Sequence, residues 1–121
     1  MGETIKPSPD ILRGTLDLLI LKALSCGAAH GYSVAKWVES ATDDALALGE
    51  GTLYPALHRL EERGWVTSSW GSSENNRQAK FYRLTRKGRT QLRLEADNWR
   101  KYAAAVFTAL DAPAPRTRGS K

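Results

Sequence analysis

The sequence is poor in the residue types that catalytic and metal sites use most often. Its 121 residues include one cysteine, Cys26, and two histidines, His30 and His58. A lone cysteine excludes an internal disulfide, and no His and Cys cluster has the spacing of metal ligands. A glycine-rich phosphate loop and a nucleophile elbow are also missing from the sequence. We therefore expect neither an enzyme nor a cofactor or metal site.

These scarce residues have simpler interpretations. Cys26 adjoins an apolar run, which favours a buried thiol over a catalytic one. His30 is expected to be satisfied locally at a helix start rather than to act as a base.

Long apolar runs are absent as well. The stretch from Leu16 to Leu24 is too short to span a bilayer and is interrupted by Asp17 and Lys22. No basic segment followed by a cleavable apolar one opens the chain. These features predict a cytoplasmic protein.

The overall balance of charge is basic, with a net charge of +5 and a pI near 9.6. This indicates an anionic partner, although charge alone does not separate nucleic acid from a membrane surface or an acidic protein. With 41% hydrophobic residues, the chain fits one small domain near the size at which oligomerisation often completes the core. We therefore expect a dimer.

Two helices are predicted in the first third of the chain. Residues 1–10, with Pro7 and Pro9, are expected to form a flexible lead. A helix over residues 11–25 has apolar side chains at helical spacing, namely Leu12, Leu16, Leu19, Ile20, Ala23 and Leu24. A second helix opens at residues 30–33 and turns Val34, Val38 and Ala41 inward, with Trp37 closing one side of the packing.

The organising segment is a third helix near residues 50–63. Its apolar face comprises Leu53, Ala56, Leu57 and Leu60, and its other face comprises Gly51, Tyr54, Pro55, His58 and Arg59. Tyr, His and Arg can contact DNA phosphates or base edges, whereas the alternative is an ordinary amphipathic helix with a solvated outer face.

The start of this third helix has two interpretations. Thr52 can cap it, which places Pro55 harmlessly in the first turn. A start at Gly49 or Glu50 would instead put Pro55 where it removes an internal hydrogen bond. Gly64 is expected to end the helix.

A β-hairpin is predicted next, from strands 65–70 and 79–84 around a polar tip at residues 71–78. Arg77 and Lys80 have no apolar anchor and suit contacts to phosphates, although a solvated basic loop is the alternative. Because Glu50, Glu61 and Glu62 offset the basic residues of the third helix, attraction to DNA must come mainly from the hairpin. Further basic groups are Lys6, Arg13, Arg86, Lys87 and Arg89.

A last helix should run from a Thr85 cap to about Leu110. Apolar residues recur along it at alternating steps of four and three, as in a coiled-coil seam: Leu92, Ala96, Trp99, Ala103, Val106 and Leu110. A seam of this kind predicts self-association, and the alternative is a helix folded back on its own domain. Residues 111–121 are expected to be a disordered basic tail.

Three helices followed by a hairpin is the order of a winged helix-turn-helix, a mainly α (α+β) fold. Residues 11–84 form the predicted DNA-binding domain, and residues 85–110 form a C-terminal dimerisation helix. In this fold the third helix lies in the major groove and the hairpin, or wing, reaches over the adjacent backbone.

Several segments together resemble the PadR family of bacterial transcriptional regulators, in particular its small members with one C-terminal helix. They are ILRGTLDLLILKAL, HGYSVAKWVE, EGTLYPALHRLEERGWV, SSWGSSENNRQAKFYRLTRKGR and EADNWRKY. The resemblance implies a homodimer, usually a repressor, joined through its last and first helices. By position, it implies DNA contacts from Thr52, Tyr54, Pro55, His58 and Arg59, with Arg77 and Lys80 at the wing.

The resemblance also draws attention to Trp99. In the multidrug-sensing branch of the family, a tryptophan at a similar position stacks flat aromatic ligands at the dimer interface. Trp99 is therefore a candidate contact for a small aromatic effector, and the alternative is that it simply fills the seam.

Two functions remain open from the sequence. The first is a homodimeric repressor that reads a pseudo-palindromic operator in double-stranded DNA, with a small aromatic ligand as its candidate releasing signal. The second is a winged-helix module that binds protein or RNA, since the fold does not dictate the function.

Overall fold

The computed structural model describes residues 9–115, with side chains from residue 14 onward. The elements are α1 (Pro9–Ala23), β1 (Ala29–His30), α2 (Gly31–Ala41), α3 (Glu50–Glu62), β2 (Val66–Ser72), β3 (Gln78–Leu84) and α4 (Arg86–Leu110). The predicted winged helix-turn-helix class is confirmed. The predicted flexible lead of residues 1–10 is wrong for Pro9 and Asp10, which form the start of α1. Predictions about residues 1–8 and 116–121, and about the side chains of Leu12 and Arg13, lie outside the described residues.

The core lies between the first three helices and the base of the hairpin. Leu16, Ile20 and Leu21 of α1, together with Leu24 just after it, pack in one cluster with the apolar face of α3. Val66, Tyr82 and Leu84 close the core from the sheet side. The predicted inner face of α3 is confirmed, since Leu53, Ala56, Leu57 and Leu60 are at most 2% exposed. Leu21 also belongs to this core, although it is not among the apolar residues predicted to line the buried side of the first helix.

Three predictions about burial are wrong. Cys26 is exposed, because α1 ends at Ala23 rather than Ser25 and Cys26 falls in the turn that follows. Ala41 is exposed because it is the last residue of α2, beyond the buried Val34 and Val38. Trp37 is 38% exposed and does not close the packing of α2.

The sheet has one more strand than predicted. Its order is β1-β3-β2, and the short β1 pairs antiparallel with β3 through Ala29 opposite Tyr82 and His30 opposite Phe81. The pairing of β2 with β3 runs from Val66 opposite Leu84 to Ser72 opposite Gln78. The connecting loop is therefore residues 73–77, shorter than the predicted tip of 71–78.

The two ends of α3 differ in how their backbone groups are satisfied. Gly49 is the N-cap and makes no side-chain hydrogen bond. Of the two predicted starts, the one at Glu50 is therefore confirmed and a Thr52 cap is wrong, and Pro55 lies inside the helix. At the other end Gly64 has φ 79°, and the Trp65 and Gly64 N–H groups donate to the Leu60 and Glu61 carbonyls, each at 3.0 Å. This Schellman closure confirms the predicted end at Gly64.

Thr85 connects the end of α3, the wing and the start of α4. Its hydroxyl lies 2.7 Å from the Gly64 carbonyl oxygen and 3.1 Å from that of Trp65, and it accepts the Gly88 N–H at 3.0 Å. The predicted cap is confirmed. Gly88 is buried against Trp65, and a β-carbon at Gly88 would overlap the Trp65 carbonyl oxygen.

No helix among residues 9–115 is long and apolar enough to cross a membrane. In the same part of the chain, no group of three or more His, Cys, Asp or Glu side chains is placed to hold a metal ion.

Gly88→Ala should destabilise the fold by about 2–3 kcal/mol, because the new methyl group meets backbone that cannot rotate away. Thermal unfolding followed by circular dichroism measures the loss. Gly51→Ala is the matched control, since a β-carbon there meets nothing within 4 Å and alanine favours helix by about 0.5–1 kcal/mol. Equal melting temperatures for the two variants would contradict the close contact at Gly88.

Candidate nucleic-acid interface

The outer face of α3 is accessible over the length predicted to contact DNA. Tyr54 is 43% exposed, Pro55 and His58 are exposed, and Thr52 is half-buried. Because the opposite face is packed in the core, the helix presents these side chains outward in a fixed orientation. The arrangement can place aromatic, imidazole and hydroxyl groups against a groove.

The ring of Tyr54 lies against the first residue of α2. A β-carbon built at Gly31 would be 2.6 Å from the Tyr54 hydroxyl oxygen and 2.8 Å from ring carbons. Gly31 therefore makes room for the ring, and any larger residue would push it outward. His30 just before it caps α2, with Nδ1 accepting the Ser33 N–H at 3.3 Å, which confirms the prediction of a locally satisfied histidine.

Arg59 is placed differently from its neighbours on α3. Its Nη2 donates to Asp17 Oδ1 on α1 at 2.7 Å, and Arg63 Nη1 lies 3.9 Å from Asp17 Oδ2. Arg63 also stacks over Trp65, with its guanidinium carbon 5.0 Å from the ring centroid. Asp17 is 7% exposed, so this carboxylate forms a nearly buried anchor for α3.

Sequence reasoning missed the role of Asp17. The available signal was a lone carboxylate between Leu16 and Ile20 on a buried helical face, since a buried charge requires a partner. Within the described residues, Arg59 Nε is a buried polar side-chain atom that has no hydrogen-bond partner. The contact of the guanidinium with Asp17 is made through its terminal Nη2.

The acidic residues near the C-terminal end of α3 have partners within the fold. Glu61 Oε2 accepts the Ser68 hydroxyl of β2 at 2.6 Å, and Glu62 Oε2 lies 3.3 Å from His58 Nε2. Burial raises the pKa of the Tyr82 phenol, and the nearby Glu61 carboxylate adds to the rise. Glu61 is therefore directed towards the wing.

A cleft of about 950 Å³ separates α2 from the wing, and we call it the wing cleft. Tyr54, Arg77 and Lys80 line it together with Tyr32, Lys36 and Trp70. The structure thus brings one predicted α3 residue and both predicted wing residues to one concave surface. Thr52, Pro55 and His58 lie outside this lining.

A second concavity lies between α1 and α4, and we call it the α1–α4 groove. Its volume is about 550 Å³, and its lining includes Gly14, Thr15, Trp99, Tyr102, Val106 and Phe107. Trp99 is 45% exposed, Val106 38% and Leu110 72%. Ala96 and Ala103 are half-buried, whereas Leu92 packs partly against the chain's own core.

Asp17→Asn should lower stability by about 2–3 kcal/mol, because it leaves the Arg59 guanidinium without its charged partner. This is less than for a fully enclosed pair, since the Arg59 side chain is 30% exposed. Chemical denaturation measures the change. Asp97→Asn breaks the exposed pair with Lys101 (3.2 Å) and should cost less than about 0.5 kcal/mol. Equal losses would refute the anchoring role of Asp17.

Comparison with known proteins agrees with this architecture. The family model of the transcriptional regulator PadR-like family matches residues 20–94. The chain is similar to the solved structure of a transcriptional regulator from Clostridium thermocellum, with 30% identity and a TM-score of 0.74, over 82% of this chain and 96% of that one. A PadR family regulator from Eggerthella lenta is 32% identical with a TM-score of 0.71, over 86% of this chain and 88% of that one.

A shorter similarity involves the transcriptional regulator YqjI of Escherichia coli. It is 37% identical over 54 residues, which are 45% of this chain and 26% of that protein. The family match covers more than half of the chain and includes α2, α3 and the whole wing. The chain therefore belongs to the PadR-like family of transcriptional regulators, and it is a regulator rather than an enzyme.

Proposed function

We propose that the protein is a homodimeric repressor that binds a pseudo-palindromic operator in double-stranded DNA within the bacterial cytoplasm. The observation that carries the proposal is the division of α3 into two faces. One face is at most 2% exposed at Leu53, Ala56, Leu57 and Leu60, whereas Tyr54 on the other is 43% exposed. A helix held this firmly by one face can enter a major groove with the other.

The wing supports the same proposal. Arg77 and Lys80 are exposed beside the outer face of α3, where cations can contact phosphates. The Glu61 carboxylate accepts the Ser68 hydroxyl of β2, so it is directed towards the wing. Arg59 has a smaller role in this arrangement than the resemblance implies, because its guanidinium is engaged by Asp17.

Dimerisation through α4 is supported by its exposed apolar surface. Trp99, Tyr102, Val106, Phe107 and Leu110 are 38–72% exposed on one helix, a concentration that marks an interaction surface. Ala96 and Ala103 lie on the predicted seam with Trp99, Val106 and Leu110, and their small side chains allow close approach of a second helix. A second copy packed here would cover the α1–α4 groove.

A small aromatic effector beside Trp99 completes the proposal. The groove volume of about 550 Å³ lies within the range of about 300–1,000 Å³ that suits small ligands, and Trp99 offers a stacking face. A ligand held between α1 and α4 would alter the contact between protomers and so release the operator.

Tyr54→Ala should abolish enrichment of specific sites, because it removes the principal aromatic contact of α3 with base edges and sugars. The measurement is selection of genomic DNA fragments by the purified protein at near-physiological salt, followed by sequencing. The wild-type protein should retain a few sites that share a pseudo-palindrome. Retention without any enriched sequence would refute specific recognition and favour a module that binds protein or RNA.

Arg77→Ala provides the contrast to Tyr54→Ala when affinities for a selected site and for unrelated DNA are titrated at several salt concentrations. A lost phosphate contact should weaken binding to all sequences alike and reduce the slope of affinity against salt by about one. Arg93→Ala, an exposed arginine on α4, is the control that should leave the slope unchanged. An unaltered slope for Arg77→Ala would exclude a phosphate contact at the wing.

Val106→Asp should convert the dimer to monomer, because it places an unpaired carboxylate in the apolar seam. Sedimentation velocity measures the change in mass. Thr108→Asp is the matched control, since position 108 lies about 160° around the helix from Val106. If Val106→Asp sediments as the wild-type protein does, α4 is not the dimer interface.

A further inference from the structure

The inward face of the wing extends farther than the core beneath it. Val66 and Leu84 face each other at the base of the hairpin and are buried, and Ser68 and Tyr82 form the next pair on that face. Trp70 and Lys80 are the third pair, with their β-carbons about 5 Å apart on the same face. Trp70 is nevertheless 66% exposed, because the wing cleft, and not core, lies beneath it.

The opposite wall of the wing cleft is also aromatic and basic. Tyr32 is 66% exposed at the start of α2, and Trp37 follows five residues later at 38%. Lys36 Nζ lies 5.6 Å from the centroid of Tyr32, and Lys80 Nζ lies 6.0 Å from that of Tyr82. Each ammonium group therefore lies near an aromatic ring, an arrangement that stabilises cations at the edge of an apolar surface.

We propose that the wing cleft is a binding site for small planar aromatic anions, in which an aromatic ring inserts between Trp70 and the α2 wall and its negative charge meets Lys80 and Arg77. Phosphate contacts by the wing cations do not account for the exposed faces of Trp70 and Tyr32. The faces of indole and phenol rings stack on other flat rings. The phosphates and sugars of a DNA backbone do not provide such rings. The cleft volume of about 950 Å³ fits the range for small ligands, about 300–1,000 Å³.

The positive charge of the cleft favours a ligand with negative charge. Lys36, Arg77 and Lys80 line it, against the single carboxylate of Glu74 among the described lining residues. Lys36 also lies 3.8 Å from Glu39, so the two wing cations carry most of the free positive charge. An anionic ring should therefore bind more tightly than its neutral analogue.

The same site has a regulatory consequence that rests on the proposed DNA binding. Tyr54, Arg77 and Lys80 belong both to the wing cleft and to the proposed DNA interface. A ligand in the cleft would occupy the wing cations and compete directly with the operator. This differs from release through the α1–α4 groove, where a ligand would act from the dimer seam.

The tryptophans of the chain allow the site to be located directly. Trp37 and Trp70 line the wing cleft, Trp99 lines the α1–α4 groove, and Trp65 lines neither. The experiment is titration of the full chain, without DNA, with naphthalene-2-carboxylate, followed by the indole ¹H–¹⁵N signals in NMR spectra. Naphthalene-2-methanol, which has the same ring and no charge, is the matched ligand.

The expected result is a saturable shift of the Trp37 and Trp70 signals, with Trp65 unmoved. A shift of Trp99 would report separate binding in the α1–α4 groove and should follow its own titration curve. Trp70→Ala should weaken binding about tenfold, since it removes the main stacking face. Lys80→Gln should weaken the carboxylate about fivefold and the alcohol less than about twofold. Circular dichroism spectra that match the wild type establish that both variants are folded.

Three results would overturn the proposal: no indole shift up to the solubility limit, a shift confined to Trp99, or equal effects of Lys80→Gln on the two ligands. Competition with DNA is measured separately, by titrating the carboxylate into the complex with a selected site. Failure to select any site would refute the proposed repressor function and leave the NMR result standing.

Discussion

Burial of one face of α3 is the constraint on which the rest of the structure depends. Leu53, Ala56, Leu57 and Leu60 reach 0–2% exposure, and each contributes on the order of 1–3 kcal/mol relative to exposure. Rotating α3 by one residue, about 100°, would expose this face and bury Tyr54. The hydrophobic effect thus fixes which side chains the helix presents, independently of what they contact.

The Asp17 anchor adds a directional element to this nonpolar constraint. Apolar packing tolerates small sliding movements, whereas a 2.7 Å contact between Asp17 and Arg59 specifies where α3 lies along α1. Gly14 and Thr15 of the same helix line the α1–α4 groove. One side of α1 therefore faces the groove and another side contacts α3. Displacement of α1 would change both the groove and the position of α3.

The sequence predicted those features that depend on regular periodicity. The inner face of α3, the pairing of two strands, and the Thr85 cap all follow from local spacing and residue type, and the structure contains them. Local pattern allows two starts for α3, because the N-cap Gly49 offers no side-chain acceptor that would mark it. The two-residue β1 is too short to show alternation, and its pairing with Tyr82 and Phe81 depends on residues far along the chain.

The candidate sites were harder to predict because they depend on tertiary contacts. Arg59 has the residue type and helical position expected of a DNA contact, yet its partner lies 42 residues away on α1. Trp70 follows the inward alternation of β2 and would be assigned to the core by pattern alone. Trp70 is exposed because the wing extends beyond the helices. No local sequence pattern encodes this extension.

Thr85 fixes the direction of α4 at its first residue, so a small tilt there produces a large displacement at the far end of the helix. Because Thr85 bonds to the carbonyls of Gly64 and Trp65 and to the Gly88 N–H, α4 begins at a fixed angle to the end of α3. At about 1.5 Å per residue its 25 residues span about 37 Å, so a tilt of about 5° moves its far end by about 3 Å. In a dimer joined through α4, the separation of the two α3 helices is set by this short hydrogen-bonded corner.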